Sequence, residues 1–144
     1  MPFVLAAIVL LDQATKTIVR QSFTFGESVP LFGFIRLTYH RNTGAAFGLF
    51  EGRTAYLAAA SLVFIAVTAV YLARRPQSPL SIALSLVLGG AIGNAIDRLS
   101  YGYVVDFIDL RVWPIFNVAD AAISCGVAWI LGLAVFGARA RSAP

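Results

Sequence analysis

The sequence predicts an all-α membrane protein: a four-transmembrane-helix bundle with a small extracytoplasmic antiparallel β-sheet. Hydrophobic residues make up 59% of the 144-residue chain and charged residues only 12%, which is about half the charged fraction of a soluble domain. A chain with so little charge cannot cover a water-exposed surface, and four of its segments are apolar enough to cross a bilayer. The length predicts one domain over residues 1–144.

The four apolar segments predict transmembrane spans at about 2–19, 54–73, 80–96 and 120–138. A span needs about 20 residues at about 1.5 Å per residue, so the third and fourth are slightly short. The first apolar run, Pro2 to Leu11, has the length of the apolar core of a cleaved signal peptide. It lacks a basic leading region and a small-x-small cleavage motif before Asp12, so a short first span is favoured.

The connections between the spans predict the topology. The tight turn "RRPQSP" and the C-terminal tail "ARARSAP" each contain two arginines and no acid, which places the turn and both termini in the cytoplasm. The long connections at about 22–48 and 97–119 then lie outside. In the first, "FIRLTYH" alternates apolar and polar residues from Phe34 to His40, the pattern of a half-buried strand. We therefore expect an outer β-cradle at about 22–48.

The seven acidic residues are predicted to lie on one side of the membrane, whichever way up the chain sits. Asp12 is expected near the outer end of the first span, Asp97 at the end of the third and Asp120 at the start of the fourth. An aspartate at a span centre costs about 2.5–3.5 kcal/mol, so these three are functional candidates. Glu27 and Glu51 are explained as ordinary loop charges.

Two polar groups within the apolar segments allow a structural as well as a functional interpretation. Asp12 and Lys16 in "LDQATK" are four residues apart and share a helix face, so they suit a helix-end ion pair equally well. Asn94, Asp97 and Arg98 in "GGAIGNAIDR" suit a polar helix end, and the glycines suit close helix packing.

Two further motifs concern chain turns. Asn117 and Asp120 precede an apolar run with the N-x-x-D spacing of a helix cap, and on spacing alone a cap is the favoured interpretation. The stretch "NTGAAFG", Asn42–Gly48, predicts a tight turn that re-enters the membrane. It lacks the Lys-Ser/Thr of a phosphate-binding loop, so nucleotide binding is not expected.

Composition also restricts the function. Cys125 is the only cysteine and His40 the only histidine, which leaves no multi-cysteine metal site and disfavours a histidine-based one. Cys125 is interpreted as a small packing residue rather than a nucleophile. The basic residues are scattered, unlike a nucleic-acid interface. We expect no metal, no cofactor and no nucleic-acid partner.

Five motifs in order, "DQATK", "NTGAAFG", "GNAIDR", "VVDFID" and "FNVADAA", make this chain resemble the lipoprotein signal peptidases, or type II signal peptidases. The resemblance implies a four-helix bundle with a β-cradle. It also implies an intramembrane aspartic endopeptidase of the bacterial inner membrane, with its active site toward the outer face. Such an enzyme cuts prolipoproteins before a diacylglyceryl-modified cysteine, contacts membrane lipids, and is expected here to be a monomer. The resemblance assigns catalysis to Asp106 and Asp120.

The same resemblance marks residues that shape the site or contact substrate: Asp12, Lys16, Asn42, Gly44, Asn94, Asp97, Arg98 and Asn117. We expect Asn117 to orient the catalytic pair and Arg98 to hold a lipid or a backbone carbonyl. The chain departs from the family pattern in three places. Gly48 replaces an expected serine, few residues precede Asp12, and the connection between the two catalytic aspartates is compact.

A pair of carboxylates suits peptide hydrolysis because the two cannot both ionise freely. At about 4 Å they repel by about 4 kcal/mol, or about three pKa units, so they share one proton near neutral pH. The pair titrates as a unit, so neither Asp106 nor Asp120 is assigned a role. Asp109 is a rival partner for Asp106, which it could meet only on a helix.

Two other classes of function could use the same features. A small four-span ion-coupled transporter could use membrane-edge aspartates, but transport sites usually lie at mid-membrane. The centres of the second, third and fourth spans carry no charge here. A non-enzymatic assembly factor with a lipid-binding cradle is the other alternative, and an inactive relative of that kind would lack one of the two aspartates.

Overall fold

The computed structural model describes residues 2–44 and 52–141, with side chains described through residue 136. In this part of the chain the elements are, in order, α1 Pro2–Ser22, β1 Ser28–Phe32, β2 Ile35–Asn42, α2 Thr54–Arg74, α3 Ser81–Tyr101, β3 Val104–Asp109 and α4 Val118–Arg141. All four helices are long and apolar enough to cross a bilayer. The predicted fold class, four spanning helices and a small antiparallel sheet, is confirmed.

Helix α3 forms the centre of the bundle and packs against α1, α2 and α4. Its most apolar stretch is 61% buried, whereas those of the other three helices are 11–17% buried. The outer helices expose large apolar side chains, among them Phe3, Val67 and Leu131. Such surfaces suit contact with lipid tails, which are as apolar as the side chains themselves.

Glycines on α3 let its neighbours approach closely. A Cβ at Gly90 would meet the carbonyl oxygen of Ala119 on α4, and a Cβ at Gly93 would meet the carboxylate of Asp12 on α1. Small residues at such contacts are what membrane helices use to bring their backbones together. The prediction of close packing at these glycines is confirmed.

The sheet has the order β1-β2-β3, and both pairings are antiparallel. The strand predicted at Phe34–His40 is found as β2, whereas β3 forms inside the segment expected to be an outer loop. His40 of β2 lies opposite Asp106 of β3. On the sheet's buried face, Tyr39 and Val105 pack with Val19 of α1, which fixes the sheet to the C-terminal end of that helix.

All four helices are longer than the apolar segments that predicted them, and in α1 and α3 the extra length changes where aspartates lie. Helix α1 continues to Ser22 and α3 to Tyr101, so Asp12 lies in the middle of α1 rather than near its end, and Asp97 lies inside α3. Both aspartates are completely buried. A span predicted from hydropathy ends at the first charged residue. A charged residue that is paired inside the bundle can nevertheless lie within the helix, so these two helices continue past their aspartates.

Candidate active site

Asp106 and Asp120 are brought together by a strand and a helix that are adjacent in the chain. Asp106 belongs to β3, and Asp120 lies in the first turn of α4. Asn117, immediately before α4, touches both. Its side-chain nitrogen Nδ2 donates to Asp106 Oδ1 at 2.7 Å, and its backbone N–H donates to Asp120 Oδ2 at 3.2 Å. One asparagine therefore bridges the two carboxyl groups.

Asn117 also caps α4, as its spacing from Asp120 predicts. The backbone N–H of Asp120 donates to Asn117 Oδ1 at 2.8 Å, while Asp120 Oδ2 accepts the backbone N–H of Asn117. This reciprocal pair satisfies two backbone donors that a helix start leaves free. The cap fixes the side chain of Asp120 relative to Asn117, so the predicted cap is present and a site-shaping role for Asn117 is compatible with it.

Asp106 is almost fully buried, with 1% of its surface exposed. Asn42 of β2 donates its side-chain amide to Asp106 Oδ2 at 2.9 Å, so both carboxyl oxygens accept amide hydrogen bonds. Burial, and then the neighbouring Asp120 carboxylate, raise the pKa of Asp106 from 3.8 to about 7, against the lowering effect of the bonds from Asn42 and Asn117. The carboxyl group is thus poised to exchange a proton near neutral pH.

Asp120 is held from the other side by the central helix. Asn94 of α3 donates Nδ2 to Asp120 Oδ1 at 2.8 Å, and its Oδ1 accepts a hydrogen bond from Asn117 at 3.1 Å. Asp120 is half-buried, in contrast to Asp106. Its place in the first turn of α4 suits a carboxylate, because the backbone N–H dipoles of a helix converge at its N-terminus.

A buried ionic cluster lies next to the aspartate pair, and Asn94 contacts both. Lys16 contacts Asp12 at 2.8 Å and Asp97 at 3.2 Å, and all three side chains are completely buried. Arg20 approaches Asp97 at 3.5 Å, which balances the two carboxylates with two cations. Gln13 donates to Asp97 Oδ1 at 3.2 Å and to a backbone carbonyl of α3 at 3.0 Å. The ion pair expected for Asp12 and Lys16 is present, inside the bundle rather than at a helix end.

The start of the "NTGAAFG" motif reaches the site through Asn42 and Gly44. Asn42 Oδ1 accepts the backbone N–H of Gly44 at 2.9 Å, a local turn that aims the amide nitrogen of Asn42 at Asp106. Arg98 donates Nη2 to the carbonyl of Gly44 at 3.0 Å, so it holds a backbone carbonyl of the chain itself. The rest of the predicted re-entrant turn, including Gly48, lies outside the described residues.

A cleft of about 600 Å³ opens beside the aspartate pair. Its polar lining comes from Asp120 and three side chains already placed at the site, Asn42, Asn94 and Arg98. The remaining lining is largely apolar and includes Val104, Leu110, Trp113, Pro114, Phe116 and Ile123. The cleft therefore joins a small polar corner to a larger apolar surface, the composition typical of a ligand site.

Two residues behave differently from their sequence interpretations. Asp109 is separated from Asp106 because residues three apart on a strand project from opposite faces. Asp109 instead accepts hydrogen bonds from Thr38 Oγ1 at 3.1 Å and from the backbone N–H of Arg111 at 2.8 Å. Cys125 is exposed and lines the cleft rather than packing between helices.

Within residues 2–44 and 52–141, no group of three or more His, Cys, Asp and Glu side chains could hold a metal ion.

Comparison with known proteins decides the family. Residues 4–136 match the family model described as signal peptidase (SPase) II. The chain belongs to this family. The lipoprotein signal peptidase of Moorella thermoacetica is 50% identical over 88% of this chain and 88% of its own length. That of Pelotomaculum thermopropionicum is 46% identical over 89% and 88%.

Solved structures agree with this membership. A bacterial membrane enzyme determined by the in meso method at 2.3 Å resolution has a TM-score of 0.89 and is 30% identical, covering 98% of this chain and 90% of its own. A second, determined by the same method at 1.9 Å, has a TM-score of 0.80 and is 33% identical over 90% and 88%. The resemblance to the signal peptidase II family is confirmed, and the chain is by family a peptidase that spans the bacterial inner membrane several times.

Sequence reasoning missed two side chains of this family member's ionic cluster, Gln13 and Arg20. Both lie on α1 within about one turn of Lys16, and Gln13 is inside the quoted "DQATK" motif. A helical-face count from Lys16 would have placed Arg20 beside it, since residues four apart share a face. The cleft residues Leu110 and Trp113 carried no comparable signal, because their position depends on the path of the loop between β3 and α4.

Proposed function

We propose that this chain is an intramembrane aspartic endopeptidase that removes signal peptides from prolipoproteins by cutting before a diacylglyceryl-modified cysteine. The observation that carries the proposal is the bridge from Asn117 to both Asp106 and Asp120 at the polar corner of the cleft. Membership of the signal peptidase II family supports the substrate class. The transporter alternative is not favoured, because the matched family is one of peptidases.

In the proposed mechanism the two carboxyl groups share one proton. The raised pKa of Asp106, about 7, suits a proton held between Asp106 and Asp120 at neutral pH, and neither residue is assigned a fixed role. The ionised carboxylate of the pair takes a proton from a water molecule as the water oxygen attacks the scissile carbonyl carbon. The protonated partner donates to the carbonyl oxygen, which forms a neutral diol intermediate. One carboxyl group then donates a proton to the amide nitrogen while the other takes a proton from a diol hydroxyl, so the C–N bond breaks and the pair is left with one proton again.

The cleft supplies what the substrate needs. An apolar signal helix and two acyl chains can lie along Leu110, Trp113, Phe116 and Ile123 while the scissile bond reaches the polar corner. Arg98 borders that corner, where its guanidinium is suited to hold a backbone carbonyl or a lipid oxygen of the substrate.

The proposed orientation follows from connectivity. The three strands and both aspartates lie at the end of the bundle where α1 ends and α4 begins, and the first residues of α1 and the last residues of α4 lie at the other end. The arginine-rich turn between α2 and α3 shares that other end, which the positive-inside rule places in the cytoplasm. The site then faces outward. We propose that the chain acts as a single domain and a monomer, in contact with membrane lipids.

A cleavage assay tests the proposed function. The purified chain in lipid nanodiscs is given a diacylglyceryl-modified prolipoprotein and, as a control, the same prolipoprotein without the lipid. Mass spectrometry should show cleavage of the modified substrate immediately before its cysteine and little cleavage of the control. A folded protein that leaves the modified substrate intact, or that cuts elsewhere, would contradict the proposal.

A further inference from the structure

Lys16 lies at the centre of a buried network that reaches both proposed catalytic aspartates. Its side chain is completely buried. An ammonium group has three protons to donate, and Nζ has three acceptors: Asp12 Oδ2 at 2.8 Å, Asn94 Oδ1 at 2.9 Å and Asp97 Oδ2 at 3.2 Å. Each of these acceptors belongs to a side chain that makes a further contact toward the aspartate pair.

The first contact runs through Asp12 to the backbone beside Asp120. While Asp12 Oδ2 faces Lys16, its Oδ1 accepts the backbone N–H of Ala119 at 2.9 Å. Ala119 immediately precedes Asp120 and is itself completely buried. The ion pair on α1 therefore sets the position of the first turn of α4 and, with it, the backbone of Asp120.

The second contact runs through Asp97 to the backbone beside Asp106. Asp97 Oδ2 accepts the backbone N–H of Val105 at 2.9 Å as well as the contact from Lys16. Val105 immediately precedes Asp106 and is completely buried. The two carboxylates that neutralise one ammonium thus each hold the backbone one residue ahead of a proposed catalytic aspartate.

The third contact orients a side-chain amide. Asn94 Oδ1 accepts from Lys16 at 2.9 Å and from Asn117 at 3.1 Å, which leaves Nδ2 to donate to Asp120 at 2.8 Å. In the flipped amide, the NH₂ group would face the ammonium and the oxygen would face the carboxylate. Both contacts would then be repulsive, because an ammonium has no acceptor and an ionised carboxylate has no donor.

We propose that Lys16 is a positioning residue that fixes the two carboxyl groups relative to one another, through Asp12, Asp97 and Asn94. This inference rests on the proposed function only for its kinetic consequence. The geometry of a reacting pair matters because a misplacement of about 1 Å can cost about 100-fold in rate. A purely structural ion pair would instead contribute to folding and leave the turnover of folded enzyme unchanged.

The chain offers a matched pair of variants. Lys16→Met alone leaves two buried carboxylates with less compensation and is liable to misfold. Lys16→Met combined with Asp12→Asn keeps the buried charge balanced, because Arg20 still faces Asp97. The amide oxygen introduced at position 12 can still accept the N–H of Ala119. The control is Arg36→Gln, which also removes a cation, one that donates to Ser28 Oγ at 2.7 Å and to the Ser28 carbonyl at 2.9 Å. Arg36 contacts neither the ionic cluster nor a proposed catalytic aspartate in these bonds.

Kinetics give the first measurement. In folded protein, the double variant should lose about 10- to 100-fold in kcat with KM within about threefold of wild type. Arg36→Gln should keep kcat within about threefold, even if its Tm falls. A double variant that turns over as fast as Arg36→Gln, at equal folded fraction, would overturn the proposal.

Hydrogen exchange of the Asn94 side-chain amide gives a measurement that does not need catalysis. The chain has three asparagines, Asn42, Asn94 and Asn117, so the NMR signals can be assigned by single substitutions. Exchange at Asn94 should be at least about tenfold faster in the double variant and unchanged in Arg36→Gln. Equal exchange in all three proteins would refute the positioning role. If wild type fails to cut prolipoprotein while the exchange differs as expected, the proposed function fails and the positioning role stands.

Discussion

The side-chain amide of Asn117 donates to Asp106 at 2.7 Å while the same residue caps the helix that carries Asp120. One residue thereby links the strand and the helix that form the proposed catalytic pair. Its buried Nδ2 also lies near the carbonyl of Val105, at 3.2 Å, and near Asn94 Oδ1. The site is therefore built around an asparagine, and a change at this residue should reach both carboxyl groups.

Replacing either proposed catalytic aspartate with asparagine should abolish cleavage. Asp106→Asn and Asp120→Asn each remove an acid–base group, which contributes about 10²–10⁴-fold to rate, and keep the size of the side chain. Initial rates on diacylglyceryl prolipoprotein measure the loss. Asp109→Asn is the matched control on the same strand and should retain near wild-type rates. Wild-type processing by either of the first two variants would disprove the assignment.

Asp106 should also make stability depend on pH. Its pKa is raised from 3.8 to about 7 on folding, so between those values the folded state binds more protons than the unfolded state. The contribution of Asp106 to the free energy of unfolding is therefore largest below about pH 4 and is lost as the pH rises through about 7. We expect Asp106→Asn to gain in Tm relative to wild type from pH 5 to pH 8, measured by thermal unfolding in nanodiscs. A difference in Tm that does not change with pH would argue against a raised pKa.

Substitutions of Asn117 should separate its two roles. Serine is an equally good helix cap but is too short to donate to Asp106, whereas alanine does neither. Loss of a hydrogen bond to a charged or shared-proton group costs about 1.5–3 kcal/mol, or about 10- to 100-fold in rate. Both variants should therefore cut prolipoprotein about 10- to 100-fold more slowly than wild type. Asn117→Ala should also be less stable than Asn117→Ser by about 1 kcal/mol. Identical unfolding of the two variants would show that the cap adds little.

Close packing of α3 on α1 should make Gly93 intolerant of a larger residue. A Cβ there would meet the buried Asp12 carboxylate, and overpacking costs about 1–3 kcal/mol. Gly93→Ala should lower the Tm and disturb the ionic cluster. Gly132→Ala, on α4, is the control, since a Cβ at that position meets nothing within 4 Å; it should be neutral or mildly stabilising. Equal Tm values for the two variants would contradict the packing argument.

Much of the site can be predicted because its residues lie in short motifs. Asn117 and Asp120 are three residues apart, so their reciprocal cap is a local structure that spacing alone can indicate. The four spans follow from length and hydropathy, and the alternation of apolar and polar residues indicates the strand Ile35–Asn42. Strand β3 lies where the sequence predicts a loop, although "VVDFID" is rich in β-branched and aromatic residues. Its partner β2 is remote in sequence, so no local pattern indicates the pairing.

The sequence by itself determined four spanning helices, the helix cap at Asn117 and the likeness to a peptidase family. Each depends on neighbouring residues or on total composition. Only the tertiary structure decided that Asp12 and Asp97 are fully buried and that Lys16 joins them to Asn94. Burying these charges is tolerable only when partners from separate helices meet in three dimensions, and sequence separation gives no measure of that distance.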